Sequence, residues 1–159
     1  MNLLLIKQIS VLSALAGAAA GIICLIPFIR GFVFLAMFLG LAAFVLVFMK
    51  QKNMIGILDY KESAIYGAIS GFVSFIAFSV VYIPVSSLLG LIFKSIYFGF
   101  MKGFFTSFIS FVVLIMLVFF VAILAALMNA FAGVVTAYVY ELLSGFKKQE
   151  NENIDFEIR

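Results

Sequence analysis

The side chains that could carry out chemistry are few in this 159-residue sequence. Histidine, the usual general base, does not occur, and there is a single cysteine, Cys24. Asp59 and Glu62 flank Lys61 in a polar segment, but no third acid, His or Cys follows them closely enough to complete a metal site. Catalysis needs titratable groups that converge on one place. We therefore expect no enzyme activity, no cofactor and no metal.

Three polar residues are unusual because apolar sequence surrounds them: Lys94, Asn129 and Glu141. Such side chains are costly inside a bilayer, and they either mark a transport pathway or bind a neighbouring helix. For Asn129 we favour a hydrogen bond across helices, and for Glu141 a position at the inner membrane interface. Lys94 suits an anionic lipid headgroup or an anionic ligand. Together these three residues form a candidate polar pathway.

The composition is that of a membrane protein. Hydrophobic residues make up 67% of the chain and charged residues 11%, whereas soluble domains have roughly 45–50% and 25%. The net charge of +3 does not indicate nucleic-acid binding, because the basic residues flank apolar runs, where they orient membrane spans. The expected partners are the lipid bilayer and either a second copy of the chain or another membrane protein.

Apolar runs of about twenty residues predict membrane-spanning helices. We predict an all-α, polytopic membrane helix bundle with four transmembrane helices and one interfacial or re-entrant helix. The spans are expected at residues 9–29, 32–49, 63–83 and 104–140, and the interfacial helix at residues 86–100, within a transmembrane domain of residues 1–146. Pro84 should end the third span, and residues 147–159 should form a polar cytoplasmic tail.

Two parts of this layout have alternatives. Residues 85–103 would form a fifth span if Lys94 lay at mid-depth, which costs about 2.5–3.5 kcal/mol on insertion scales. Residues 104–143 would make a helix roughly 60 Å long, about twice the hydrocarbon core. This last helix therefore either tilts and protrudes on the inner side or breaks near Asn129.

The basic residues predict the orientation, since cytoplasmic loops carry an excess of Lys and Arg. With four spans, Arg30, Lys94 and Lys102 lie on one side of the membrane. The other basic residues lie on the opposite side: Lys7, Lys50, Lys52, Lys61, Lys147, Lys148 and Arg159. We expect the protein in the inner (cytoplasmic) membrane with both termini in the cytoplasm.

Small residues recur at four-residue spacing in three of the predicted helices. The predicted helix-packing positions are Ser13, Gly17 and Gly21 in the first span, Ser63, Gly67 and Gly71 in the third, and Gly133 in the last. Lipid is as apolar as Leu, so membrane helices associate through close backbone approach, which small residues allow. We interpret these positions as packing faces within one chain or between chains, although Gly and Ala are common in all membrane helices.

The first two of these ladders are offset by fifty positions. Leu39-Gly40-Leu41 matches Leu89-Gly90-Leu91 at the same offset. This match indicates either a duplication, whose halves would share one orientation, or chance similarity between apolar sequences.

The run GILDYKESAIYGAISGFVSFI, residues 56–76, resembles the loop-to-third-helix segment of small four-span bacterial membrane proteins of unknown function. In those proteins a short loop with an aromatic residue leads into an Ala- and Gly-rich helix. A Lys-rich cytoplasmic tail, similar to Lys147-Lys148 here, ends the chain. The resemblance implies a similar fold and no known activity.

The sequence supports three hypotheses for function. We favour a non-enzymatic structural or accessory membrane component that packs through its small-residue helix faces. The alternative is a small transporter or channel, in which Lys94, Asn129 and Glu141 would line a polar path. A holin-like pore former also fits the size and the composition.

Overall fold

The structure is a computed structural model that describes residues 3–52, 54, 59–93 and 108–157, with side chains described to residue 89 in the fourth helix and over residues 110–143 in the last. These ranges form five helices: α1 (Leu3–Ile23), α2 (Arg30–Leu39), α3 (Leu41–Gln51), α4 (Tyr60–Phe93) and α5 (Phe108–Glu157). The described part of the chain contains no strand, so the all-α prediction is confirmed there.

Three of these helices are long and apolar enough to cross a membrane: Leu3–Ile23, Tyr60–Leu89 and Ser110–Leu143. The α2–α3 pair passes the same test as a unit, although it bends by 63°. The described residues therefore hold three candidate spans, or four if the bent pair is one span. These apolar helices indicate a membrane location.

Helix α4 lies between α1 and α5 and runs parallel to α1. Ser13 of α1 contacts Ser70 of α4, and one turn further along both helices Gly17 lies against Ser74. Contacts in the same order along both helices require a common direction. The α2–α3 pair, which connects α1 to α4, must therefore return the chain to the end of the bundle where α1 began.

Helix α5 runs antiparallel to α4. Gly67 of α4 lies against Asn129, and Gly133, one turn later in α5, lies against Ser63, one turn earlier in α4. The start of α1, the start of α4 and the later half of α5 consequently lie at the same end of the bundle.

Aromatic rings hold α2 against α4. The Phe34 ring of α2 meets Phe75 and Phe78 edge-on, with centroids 6.1 and 6.0 Å apart, and Phe38 meets Phe75 at 5.9 Å. Edge-to-face pairs at such distances are favourable. They anchor α2 at the level of the last turns of α1, where Gly21 lies against Phe78.

Two predicted helix boundaries are wrong because of how prolines act. The first span was expected to reach residue 29, but α1 ends at Ile23. The N–H of Ile26 bonds the Ile23 carbonyl in a tight turn, as expected just before Pro27. Conversely, Pro84 was expected to end the third span at residue 83, and α4 continues through it to Phe93.

The continuation of α4 through Pro84 costs one backbone hydrogen bond, because proline has no N–H to donate to the Val80 carbonyl. A transmembrane helix tolerates such a loss. In the turn after Pro84, Ser86 and Ser87 both donate to the Ile83 carbonyl, at 3.0 and 2.8 Å. Residues 86–93 of the predicted interfacial helix therefore belong to α4, and residues 94–100 lie outside the described part of the chain.

One further prediction of helix continuity is wrong. The second span was expected as one helix over residues 32–49, but it divides at Gly40 into α2 and α3. For the last helix, two alternatives were open, and the structure has the unbroken one, because α5 is one helix from Phe108 to Glu157. That helix includes most of the predicted polar tail. Its apolar candidate span ends at Leu143, so the last turns extend beyond the apolar segment.

Candidate functional site

The α2–α3 bend, the 63° change of direction at Gly40, interrupts an apolar stretch of the chain. A helix break leaves carbonyls at the end of one helix and N–H groups at the start of the next without their usual partners. In a membrane, each such group costs several kcal/mol if nothing else bonds it. Gly40 satisfies part of this need, since its N–H bonds the Ala36 carbonyl at 2.8 Å and its carbonyl accepts from Phe44.

Asn129 of α5 supplies two further hydrogen bonds at this bend. Its Oδ1 atom accepts a hydrogen bond from the backbone N–H of Ala42, in the first turn of α3, at 2.9 Å. Its Nδ2 atom donates to the Met37 carbonyl of α2 and to the Ala125 carbonyl of α5, both at 2.9 Å. The side chain is completely buried. Both amide hydrogens and the amide oxygen are thus bonded to backbone.

Two glycines of α4 make room for Asn129. A Cβ atom built on Gly71 would lie 2.7 Å from the Asn129 Cβ and 2.9 Å from its Nδ2. A Cβ on Gly67 would meet the Asn129 backbone carbonyl. The absence of side chains at these two positions therefore lets α5 approach α4 closely enough for Asn129 to reach the α2–α3 bend.

Helix α1 meets the other side of α4 through equally small residues. The Ser13 hydroxyl donates to the Ser70 hydroxyl at 2.9 Å, and both side chains are buried. A Cβ on Gly17 would overlap the Ser74 carbonyl, and one on Gly21 would lie 3.1 Å from the Phe78 carbonyl. The two backbones touch along two helical turns.

The seven predicted helix-packing positions all lie at contacts between α4 and either α1 or α5. They are buried in every case. Ser63 and Gly133 form the pair nearest the start of α4, where a Cβ on Gly133 would lie 2.5 Å from the Ser63 carbonyl. In this structure the small-residue faces meet within one chain.

The structure describes two of the three candidate polar-pathway residues, Asn129 and Glu141, and does not bring these two together. Asn129 is buried and bonded to backbone, whereas Glu141 is exposed and lies twelve residues further along α5, about 18 Å at helical rise. Lys94 lies outside the described residues. Among the residues that the structure describes, no group of three or more His, Cys, Asp or Glu side chains could hold a metal ion.

Arg30, which the sequence pointed to only as a basic residue on one side of the membrane, has an unusual setting at the start of α2. Its guanidinium carbon lies 5.8 Å from the centroid of the Tyr82 ring of α4, a distance typical of cation–π contacts. Its Nε and Nη2 atoms are shielded from solvent and have no hydrogen-bond partner within the described part of the chain. The only sequence signal was a lone arginine with no nearby acid.

Cys24 lies in the α1–α2 loop beside Arg30, outside the candidate spans. Its Sγ donates to the Arg30 carbonyl at 3.6 Å. Burial raises the pKa of the Cys24 thiol above its ordinary value, and the positive charge of Arg30 opposes that rise. The thiol is therefore protonated at neutral pH and a poor nucleophile.

Comparisons with models of protein families, with curated proteins and with solved structures found no match.

Proposed function

We propose that the protein is a multi-pass membrane protein that works as a non-enzymatic structural or accessory component of the inner (cytoplasmic) membrane. The observation that carries this proposal is the bonding of the α2–α3 bend by Asn129, which ties α5 to both α2 and α3. An amide whose donors and acceptor all bond backbone has little capacity left for a moving substrate. The Asn129 amide is therefore suited to holding the helices of a bundle in fixed positions.

The close backbone contacts of α4 with α1 and α5 support the same proposal. Each contact depends on a glycine whose replacement by a larger residue would collide with backbone, as at Gly17, Gly67 and Gly133. Backbone proximity of this kind is how helices associate in lipid. A bundle built this way offers a stable surface to another copy or another membrane protein.

The directions of the helices support a four-span topology with both termini in the cytoplasm. α1 and α4 are parallel and α5 is antiparallel, so an α2–α3 pair that crosses once brings both ends of the chain to one side. That side would carry most of the Lys and Arg residues, which favour the cytoplasm. This layout would also make the chain similar to the small four-span bacterial membrane proteins that residues 56–76 resemble.

The outward face of α5 is the surface that we propose for association. It presents large apolar side chains to lipid or to a partner: Met116, Phe120, Leu127 and Phe131, each more than 60% exposed.

The proposed surface can be tested by photo-crosslinking. A photo-crosslinking residue in place of Phe120, in the full chain in membranes, should yield a discrete protein–protein product. The same residue at Phe75, which is 5% exposed, is the matched interior control. Products with lipid alone at Phe120 would contradict the accessory role.

A transporter or channel is the second candidate, because broken helices line the sites of many transporters and the α2–α3 bend is such a break. The two proposals differ in what Asn129 does. Ion or solute flux through proteoliposomes, present in the wild type and abolished in Asn129→Leu at equal protein incorporation, would favour transport. Equal flux in wild-type, Asn129→Leu and protein-free vesicles would favour the structural role.

A further inference from the structure

Arg30 lacks a counter-charge that the chain itself could provide. The sequence has no Asp or Glu before Asp59 and none between Glu62 and Glu141. Asp59 and Glu62 lie at the start of α4, whereas Tyr82, against which Arg30 packs, lies about 33 Å further along that helix at the usual rise. Because α5 is antiparallel, Glu141 lies at the same distant end, and the remaining acids, Glu150, Glu152, Asp155 and Glu157, follow it further along the same helix. Within the described part of the chain no acid therefore lies near Arg30, so a negative charge there would come from another molecule.

The guanidinium is also held in place with unused donors. The Tyr82 ring packs against it, and its Nε and Nη2 atoms have no partner among the described residues. An arginine presents its N–H groups as a rigid fork that matches a phosphate bidentately, and it remains charged when partly buried.

An apolar groove of about 480 Å³ begins at Arg30. Its other walls are Phe34, Leu35, Phe38 and Leu39 along one face of α2, and Met128 of α5. The volume lies in the range of about 300–1,000 Å³ that is usual for ligand sites. One cation at the head of an otherwise apolar groove matches a molecule with one anionic end and an aliphatic remainder.

We propose that this groove binds one anionic phospholipid, with its phosphate on the Arg30 guanidinium and an acyl chain along α2. A phosphodiester supplies the missing negative charge and oxygen acceptors for the guanidinium, and the apolar walls of the groove match the acyl chain. In a zwitterionic lipid, the ammonium group offsets the phosphate charge, so such a lipid binds more weakly. Basic pockets between transmembrane helices recognise lipid headgroups in this way. The proposal is independent of whether the protein has an accessory role.

The test is native mass spectrometry of the full chain in detergent, titrated with phosphatidylglycerol and with phosphatidylcholine of identical acyl chains. The wild type should bind one phosphatidylglycerol about tenfold more tightly than phosphatidylcholine, equivalent to about 1.4 kcal/mol. Arg30→Gln should remove this preference. Lys61→Gln removes the same charge from an exposed position at the other end of α4. This variant should keep the preference for phosphatidylglycerol.

Three results would overturn the proposal: equal binding of the two lipids by the wild type, an unchanged preference in Arg30→Gln, or loss of the preference in Lys61→Gln. The first requires no variant, so it decides the matter even if Arg30→Gln does not fold. Displacement of phosphatidylglycerol by millimolar inorganic phosphate would identify a free-anion site, and would also refute the lipid assignment.

Discussion

Asn129 and Ala42 are 87 positions apart, yet the side-chain oxygen of Asn129 accepts a 2.9 Å hydrogen bond from the backbone N–H of Ala42. This bond gives an acceptor to a backbone N–H that α2 cannot pair, because α2 ends at Leu39. The path of the second apolar segment thus depends on a residue in the last helix.

Replacement of Asn129 by Leu should therefore destabilise the bundle. The variant leaves the Ala42 N–H and the Met37 carbonyl buried without their side-chain partner, and we expect a loss of about 2 kcal/mol in the free energy of unfolding. Equilibrium unfolding in mixed detergent micelles measures this loss of stability. Thr136→Val is the control, because among the residues that the structure describes the Thr136 hydroxyl bonds only the Ala132 carbonyl of its own helix. Equal stability of the two variants would contradict the role of Asn129.

Gly17→Ala should loosen the contact between α1 and α4. The added Cβ would collide with the Ser74 carbonyl, so the helices must separate, and we expect a loss of about 2 kcal/mol or more. Gly31→Ala provides the matched control, since a Cβ there meets nothing within 4 Å. That variant should be neutral or slightly stabilised, because Ala is the better helix former. Melting temperatures of the two variants measure this difference. A lower melting temperature for Gly31→Ala than for Gly17→Ala would refute the contact.

The bond between Ser13 and Ser70 should contribute a small coupling energy. A double-mutant cycle with Ser13→Ala, Ser70→Ala and the double variant isolates this pair. Hydrogen bonds between membrane helices average about 0.6 kcal/mol, and we expect a coupling of that size. A coupling of zero within error would mean that the hydroxyls do not interact in the membrane.

The topology can be tested with single cysteines in a Cys24→Ser background. Phe28, in the α1–α2 loop, is 92% exposed, and Met54, after α3, is 41% exposed. An impermeant thiol reagent should label Phe28→Cys in intact cells and Met54→Cys only after the membrane is opened. Labelling of both positions in intact cells would contradict a single crossing by the α2–α3 pair.

The native Cys24 thiol should react slowly in the folded protein. It is fully buried, and burial raises its pKa, so little thiolate is present at neutral pH. We expect modification at least about tenfold slower than that of Phe28→Cys, limited by local opening of the bundle. The rate should increase with pH and after unfolding. A fast, pH-independent reaction would mean that the α1–α2 loop is open.

Much of the helical layout was predictable from the sequence, because apolar runs and helix period are local properties. The helix ends were less predictable where they depend on other contacts. Pro27 and Pro84 have the same intrinsic effect, yet α1 ends before the first and α4 continues through the second. The different outcomes therefore do not come from the prolines themselves.

The α2–α3 bend could not be predicted from residues 32–49 alone. The helix is interrupted at Gly40, whereas Gly90, its counterpart at the offset of fifty, lies inside the continuous helix α4. Glycine permits a break but does not require one. The requirement comes from Asn129, a long-range contact that no local pattern contains.

The dependence of the α2–α3 bend on Asn129 also has a consequence for biosynthesis. A ribosome makes the second apolar segment long before it reaches residue 129, so the nascent chain must hold that segment without its partner. A chain terminated before Asn129 lacks the side chain that bonds the Ala42 N–H and the Met37 carbonyl. Its second apolar segment must then either straighten into one helix or leave these groups unpaired in lipid, which is costly. The bend is therefore a feature that the chain acquires only after residue 129 has been translated.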